Sequence, residues 1–232
     1  MKKAIILFSG GLDSTILLWL ARSEGYELHA LSFDYGQRHK KELKSAKKIA
    51  KLIGVKSHKI INLKLDKWGG SSLTDKKMPL PTSAQNVRNI TAPLEMKRSI
   101  PNTYVPARNI VFLSVAASYA EAIGAQDIFI GVSEVDYSGY NDCRREFIEA
   151  MQNAINKGTV CGAENNQHIT IRTPFINMTK TEEILLAVKL GVPLERTWSC
   201  YKGSKKPCGV CDSCILRANA FKNAGINDKN YK

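Results

Sequence analysis

Short apolar runs alternate with longer amphipathic stretches over the first quarter of the chain. The runs at residues 4–8, 28–33 and 57–63 have the length and composition of buried strands. Residues 15–21, which follow a glycine turn, and residues 41–52 are predicted helices. The second stretch repeats its apolar positions at helical spacing, with lysines between them. Strands that alternate with helices predict a Rossmann-like α/β fold, in which a parallel sheet has helices on both faces and a ligand site outside the carboxyl ends of its strands.

The same alternation returns in the second half of the chain. An almost wholly apolar helix is predicted over 110–123, a buried strand over 127–132 and a further strand over 168–173. A Thr-x-x-Glu capping box at 179–182 predicts the start of a helix that continues over 183–190 and is ended by Gly and Pro. These elements are expected to extend the same sheet.

Residues 66–103 separate the two halves and lack periodicity. Loops of this length are usually functional lids or disordered segments. The length of 232 residues suits one α/β domain with a small appendage. We therefore expect an α/β domain over 1–194, with this irregular insertion, and a small C-terminal segment over 195–232.

The turn between the first strand and the first helix, residues 9–14, has the sequence SGGLDS. Adjacent glycines permit backbone conformations that other residues avoid, so successive N–H groups can point into one concavity at the positive end of the helix. Such a concavity binds phosphate. The turn is not a Walker A loop, because no Lys follows the glycines, and it lacks the G-x-G-x-x-G spacing of dinucleotide folds. The simpler interpretation is a tight turn in which Asp13 caps the helix.

Four cysteines fall within fifteen residues near the C-terminus: Cys200, Cys208, Cys211 and Cys214. Thiolates this close can converge on one tetrahedral ion, which predicts a structural zinc site with one zinc per chain. An iron–sulfur cluster is the alternative, whereas disulfides do not suit a cytoplasmic protein. Cys143 and Cys161 lie outside this group and are predicted to be small apolar fillers.

The charge balance favours anionic partners. Lys and Arg number 34 against 21 Asp and Glu, which gives a net charge of +13. The lysines within 41–52 are interpreted as a solvated helix face, because neither aromatic interleaving nor a nucleic-acid motif accompanies them. The apolar stretch at 110–123 is short for a membrane span and contains Glu121. We expect a soluble, cytoplasmic protein that binds small molecules rather than membranes, with no direct contact to nucleic acid.

Several motifs in one order carry a resemblance to a known family. They are SGGLDS at 9–14, VPARN at 105–109, GVSEVDYSGYNDCR at 131–144, TWSCY at 197–201 and the cysteines that follow. The first resembles the phosphate-binding loop of the ATP pyrophosphatase superfamily. The set as a whole is similar to the QueC family of queuosine biosynthesis.

The similarity extends over about residues 4–221. Ala107 stands where the family pattern has Gly, and Asn141 where Pro is common, but neither difference removes a charged or metal-binding group. The resemblance implies an adenine nucleotide alpha hydrolase-like fold and an ATP-dependent ligase that converts 7-carboxy-7-deazaguanine and ammonia to 7-cyano-7-deazaguanine. It further implies ATP and magnesium beside the structural zinc, and it supports a homodimer, for which the apolar stretch at 110–123 is a candidate surface.

The resemblance assigns the nucleotide to one continuous set of residues: Phe8, Ser9, Gly10, Gly11, Leu12, Asp13, Ser14 and Thr15. Three charged residues are candidates for catalysis. Asp13 would help to place magnesium. Arg108 would face phosphate or the substrate carboxylate, where a planar fork suits two oxygens, although a surface salt bridge is the simpler interpretation. Lys180 opposes the dipole in the first turn of a helix, which suggests a nearby anion, and the alternative is an ordinary solvated lysine.

Four further residues are candidates for binding the deazaguanine. Glu134 and Asp136 follow directly on a buried strand, and either carboxylate can accept the adjacent N–H donors of the base. Tyr137 and Tyr140 can stack on its ring. The alternative is a polar loop whose tyrosines pack in the core.

Other functions stay open at this point. An amide-forming ligase of the NAD synthetase or GMP synthetase kind shares the loop, as does an RNA-thiolating or RNA-lysinylating enzyme. A zinc module that binds nucleic acid is the non-enzymatic alternative, but it leaves the glycine loop unexplained.

Overall fold

Five parallel strands form the centre of the protein, in a computed structural model that describes residues 1–81, 100–135 and 140–230. Their order across the sheet is β3-β2-β1-β4-β5. The strands are β1 (Lys3–Leu7), β2 (Glu27–Asp34), β3 (Ser57–Asn62), β4 (Asp127–Phe129) and β5 (Thr170–Arg172).

Helices connect and cover these strands. The α-helices are α1 (Leu12–Ser23), α2 (Lys41–Ile53), α3 (Arg108–Ile123), α4 (Arg145–Gly158), α5 (Val160–Ala163), α6 (Lys180–Lys189) and α7 (Asp212–Asn223). Short 3-10 turns occur at Leu65–Trp68, Asn141–Cys143 and Leu194–Arg196. Along the described chain, no helix combines the length and the apolar composition that crossing a bilayer requires.

The alternating side chains of β1 show how the sheet is buried on both faces. Ala4 and Ile6 pack into a core completed by α1, α2, α6 and α7. Ile5 and Leu7 point into a second core, formed mainly with α3 and α4. The predicted fold class, a parallel sheet with helices on both faces, is therefore confirmed.

The strand order places a crevice between the ends of β1 and β4. β1 pairs with β2 on one side and with β4 on the other, so the connections that leave it diverge. Ligands of open α/β sheets bind at such a switch point, outside the carboxyl ends of the strands. Gly131 follows β4, and a Cβ atom placed there would lie 3.4 Å from Cβ of Asp13, so the chain after β4 packs closely on the start of α1.

The observed elements differ from the predicted ones mainly late in the chain. β4 and β5 are shorter than the predicted strands at 127–132 and 168–173, while α4 and α7 were not predicted. α6 begins at Lys180, three residues before the predicted 183, because the capping box satisfies its first turn. In the irregular insertion, the described residues hold one 3-10 turn and several bends, and 82–99 lie outside the described residues.

Candidate active site

The glycine loop joins β1 to α1 at the carboxyl edge of the sheet. The Ser9 and Ser14 hydroxyl oxygens lie 3.0 Å apart, and the Ser9 oxygen also accepts the backbone N–H of Gly11 at 3.1 Å. Gly11 is the N-cap of α1, and no side chain caps the helix there. The start of α1 therefore offers two hydroxyls and its positive dipole end to the cleft that these residues line.

Gly10 allows α2 to pack directly on this loop. Its φ is +83°, which favours glycine. A Cβ atom at this position would lie 2.4 Å from the backbone nitrogen of Ala46 and 2.5 Å from the carbonyl oxygen of Glu42. A side chain at Gly10 would therefore push α2 away from the loop.

Lys180 connects the glycine loop to α6. Its Nζ lies 2.9 Å from Oδ1 of Asp13 and 2.8 Å from Oε1 of Glu183. Burial disfavours the ammonium ion, but the two carboxylates outweigh that effect and raise the pKa of Lys180 above its ordinary value. A permanent positive charge thus lies beside the loop, where phosphate oxygens would be stabilised.

The loop opens into a cleft of about 360 Å³. Tyr35 lines it from the end of β2, Glu42 from the first turn of α2, and Arg108 from the start of α3. Lys180 and Tyr201, the latter from the C-terminal segment, also line it. Side chains far apart in the sequence thus converge where the strand order predicts a ligand.

Charged groups in the cleft influence one another strongly. Burial by itself lowers the pKa of Arg108, but its interactions with Tyr35 and Tyr140 raise the value overall, so the guanidinium stays charged. The pKa of Glu42 is raised to about 7, chiefly by burial; the Arg108 guanidinium opposes this shift and the Asp13 carboxylate adds to it. The cleft therefore holds fixed positive charges at Arg108 and Lys180, together with a carboxyl group that titrates near neutral pH.

The four C-terminal cysteines form one compact cluster. Their sulfur atoms all lie within 4.8 Å of one another. The Cys211 and Cys214 sulfurs are 3.5 Å apart, and those of Cys208 and Cys214 are 3.9 Å apart. A tetrahedral zinc with Zn–S bonds of about 2.3 Å separates its sulfurs by about 3.8 Å, so this arrangement fits the ion.

The cysteine cluster is attached to the glycine loop. The backbone N–H of Trp198 donates to the carbonyl of Gly10 at 3.1 Å, and Lys41 lies 4.1 Å above the Trp198 ring. Gly203 packs so tightly on His39 that a Cβ atom there would lie 2.3 Å from the histidine Cβ. A metal held by the cysteines would therefore fix a segment that borders the cleft.

A family model described as "Queuosine biosynthesis protein QueC" matches residues 3–225. The chain belongs to the QueC family. A Clostridium kluyveri relative named "7-cyano-7-deazaguanine synthase" is 54% identical over 228 residues, which are 98% of this chain and 96% of that protein. A Trichodesmium erythraeum relative of the same name is 52% identical over 226 residues, 97% of this chain and 98% of that protein.

A solved structure shows the fold independently. It is described as "predicted subunit of tRNA methyltransferase" from Methanocaldococcus jannaschii and is 18% identical to this chain. The TM-score is 0.50, with 100% of this chain and 92% of that chain covered. At this level of identity the likeness concerns the fold alone.

The structure of this QueC-family chain brings most of the predicted site residues together. Ser9, Asp13, Arg108, Tyr140 and Lys180 all line the same cleft. Phe8, Gly11, Leu12 and Ser14 line it as well. Gly10 and Thr15 do not line the cleft but support the loop. Gly10 packs closely on α2, and the Thr15 hydroxyl donates a 2.7 Å hydrogen bond to the Gly11 carbonyl.

The candidates for base recognition have different surroundings. Tyr140 lines the cleft, donates or accepts a 2.6 Å hydrogen bond with the Thr103 hydroxyl, and stacks on Tyr104 with 5.9 Å between ring centroids. Glu134 instead accepts the backbone N–H of Arg145 at the start of α4. Its role in base recognition stays a prediction. The predicted Asp136 and Tyr137 lie outside the described residues.

Sequence reasoning missed Tyr35, Glu42 and Glu183 as parts of this site. Tyr35 and Glu42 line the cleft itself, and Glu183 forms an ion pair with Lys180 within α6. A signal existed for Tyr35, because it follows directly on the end of β2, where ligands of such sheets collect. Glu42 and Glu183 gave none, because each is one acidic residue within a helix that has several charges.

The remaining cysteines are placed as expected for small apolar residues. Cys143 is buried in the core on the α3 and α4 side, where burial raises its pKa to about 11 and keeps it a thiol. Cys161 is half-buried and packs against the same core.

Proposed function

We propose that this chain converts 7-carboxy-7-deazaguanine, ammonia and ATP to 7-cyano-7-deazaguanine. One observation carries the proposal: a glycine loop with a paired lysine lies at the switch point of the sheet in a chain more than half identical, over nearly its whole length, to relatives named for that product. The relatives' name also selects this reaction over other uses of an ATP pyrophosphatase loop.

The glycine loop is the phosphate end of the proposed site. The Ser9 and Ser14 hydroxyls and the start of α1 would bind phosphate oxygens, with the Lys180 ammonium opposite them. Asp13 is suited to hold magnesium, because its carboxylate offers hard oxygen ligands and its side chain is 34% exposed where it lines the cleft. The protein thereby places and neutralises the phosphates without reacting with them itself.

The substrate end lies between α3 and the end of β2. The half-buried Arg108 side chain can bind both oxygens of a carboxylate through its planar fork. Tyr35 and Tyr140 lie beside that guanidinium and can enclose an aromatic ring. A 7-carboxy-7-deazaguanine bound here would present its carboxylate toward the phosphates.

The reaction needs two activations. A carboxylate oxygen first attacks a phosphorus atom of ATP and displaces pyrophosphate or ADP, which leaves that oxygen bonded to AMP or to phosphate. Ammonia then attacks the carbonyl carbon, expels the oxygen as AMP or phosphate, and gives an amide after loss of a proton. A second ATP activates the amide oxygen, whose departure with loss of the nitrogen-bound protons forms the nitrile. Positioning and electrostatic stabilisation by Arg108 and Lys180 are the chain's main contributions.

Zinc would have a structural role. Four thiolates from one segment fill a tetrahedral shell, so no coordination position is left to activate water or ammonia. The cysteine cluster would instead hold Tyr201 and Trp198 against the cleft and the glycine loop. This agrees with a small segment over 195–232 that packs on a domain over 1–194, with Ala220 and Phe221 of α7 entering the core.

We also infer a cytoplasmic homodimer that binds no nucleic acid directly. The α3 surface supports the dimer, because Ile110 is 43% exposed on this largely apolar helix. Light scattering at several protein concentrations tests it, and a monomer at micromolar concentration would contradict it.

Product analysis tests the proposed function. The purified protein is incubated with MgATP, ammonium and 7-carboxy-7-deazaguanine, and the products are followed by mass spectrometry. We expect the amide first and the nitrile later, each dependent on ATP. Consumption of ATP without either product would contradict the proposal.

A further inference from the structure

Glu183, in the first turn of α6, carries a buried carboxyl group. Its side chain has 0% exposure. One oxygen, Oε1, lies 2.8 Å from Nζ of Lys180, and the other, Oε2, has no hydrogen-bond partner among the described residues. Such a group is costly, because a buried carboxylate loses its hydration, one oxygen here has no hydrogen bond, and the nearby Asp13 carboxylate repels it.

The stability of α6 does not explain this carboxylate. The helix start is already secured by the capping box, in which the Thr179 hydroxyl accepts the Glu182 N–H and the Glu182 carboxylate accepts the Thr179 N–H at 2.8 Å. Its neighbours Ile184 and Ala187 belong to an apolar core. An apolar side chain at position 183 would therefore suit the packing better than a glutamate.

The position of Lys180 does explain it. A lysine in the first turn of a helix is opposed by the helix dipole, and its ammonium here is largely buried, with 18% of the side chain exposed. Asp13 is the other carboxylate on Nζ, but it belongs to the glycine loop and is suited to hold magnesium. If Asp13 were to bind a metal, Glu183 would be the carboxylate that remains beside the ammonium.

We propose that Glu183 is a positioning residue that holds the Lys180 ammonium at the phosphate end of the cleft. It acts through Lys180 and does not touch the nucleotide. The inference rests on the proposed use of ATP. It explains how the Lys180 ammonium could stay at the phosphate end of the cleft while its other partner, Asp13, binds magnesium.

The test compares ATP binding with stability in Glu183→Leu. Because Lys180 keeps Asp13 as a partner in the free protein, removing the buried carboxylate is expected to change the melting temperature little. The dissociation constant for MgATP, measured by calorimetry, is expected to rise about tenfold, as for loss of one charge-assisted interaction. The KM for 7-carboxy-7-deazaguanine is expected to change little.

Two further variants separate positioning from structure. Glu182→Ala removes the neighbouring carboxylate of the capping box, so it is expected to lower the melting temperature and leave ATP affinity unchanged. In a double-mutant cycle, Lys180→Met is combined with Glu183→Leu. If Glu183 acts only through Lys180, the double variant binds ATP as weakly as Lys180→Met alone.

Wild-type ATP affinity in Glu183→Leu, or multiplicative losses in the cycle, would overturn the proposal. If the leucine variant does not fold, Glu183→Gln keeps the size of the side chain and is expected to weaken ATP binding about threefold. Unchanged affinity in the glutamine variant would then overturn it. Because these measurements need no deazaguanine turnover, they stay decisive even if the wild type binds ATP but makes no nitrile.

Discussion

Individual charges in the cleft are arranged around Lys180 and Arg108. Asp13 provides one of the two carboxylates on Lys180, and it lies in the first turn of α1, where a negative charge also suits the helix dipole. The Arg108 guanidinium lowers the pKa of Glu42, and the Asp13 carboxylate raises it. Substitutions at Asp13 and Glu42 therefore test the site with little change to the fold.

Asp13→Ala is expected to reduce turnover at least about 100-fold, since phosphate and metal placement depend on that carboxylate. The protein should stay folded, because Lys180 keeps Glu183 as a partner. Product formation by mass spectrometry and the circular dichroism spectrum check both parts. Normal turnover by a folded variant would remove the ATP site from this loop.

Glu42→Gln is expected to stabilise the protein in a pH-dependent way. The pKa of Glu42 is about 7 in the folded state against 4.5 ordinarily, so the folded state binds the proton more tightly. This group's contribution to stability is full below about pH 4.5 and is lost as the pH rises to about 7. The variant should therefore exceed the wild type by about 1–2 kcal/mol at pH 8 and match it near pH 4.5.

Melting curves of both proteins across this range provide the check. A constant difference at all pH values would show that Glu42 does not titrate near neutrality in the folded protein.

At the scale of elements, the site depends on how closely α2 and the C-terminal segment approach the glycine loop. Gly10 meets α2 on one side, and its carbonyl accepts the Trp198 N–H on the other. The loop is therefore held between two neighbours that come from distant parts of the chain. Its shape is set by packing as well as by its own glycines.

Gly10→Ala is expected to be far more damaging than Gly25→Ala. Both residues have φ of +83°, but a Cβ atom at Gly25 meets nothing within 4 Å, whereas one at Gly10 collides with the α2 backbone. The Gly25 variant should lose only the conformational cost of about 1–2 kcal/mol. The Gly10 variant should lose about 1–3 kcal/mol more and bind ATP weakly.

Chemical denaturation and ATP calorimetry on the two variants give the comparison. Equal losses of stability would mean that α2 moves away from the loop without cost.

At the scale of the whole molecule, the cysteine cluster orders the C-terminal segment beside the site. Arg217 of α7 is 2% exposed, and its guanidinium donates to the Thr197 hydroxyl at 2.7 Å and to Asp228 at 3.1 Å. These hydrogen bonds and the proposed metal site stabilise the same segment, so loss of the metal should lower the stability of the folded protein.

The protein is expected to hold one zinc per chain, and Cys211→Ser should lower its melting temperature and solubility. The reason is that a three-thiolate site binds zinc less firmly and releases the segment that borders the cleft. The matched control is Cys161→Ser, a substitution outside the cluster, and this variant should still bind one zinc per chain. Elemental analysis and melting curves measure both.

A brown preparation that absorbs near about 400 nm and contains iron instead of zinc would contradict the zinc site. It would favour a cluster-bearing enzyme of the RNA-thiolating kind.

Features that depend on local or periodic information follow from the sequence alone. Alternating apolar runs predicted the parallel α/β sheet, adjacent glycines predicted a tight turn before the first helix, and the spacing of Cys200 to Cys214 predicted that the sulfurs could meet. Each follows from backbone geometry over a few residues, so no distant contact was needed to infer it.

Long-range packing determines which distant side chains share the cleft. It brings Lys180 to Asp13 and Glu183 and places Glu42 near Arg108. These pairs are not visible in the sequence, because a charge within a helix does not show which partner it will face. The apolar positions of α4 do repeat at helical spacing, so this helix could have been predicted, whereas α7 lacks a comparable pattern and depends on the core that buries it.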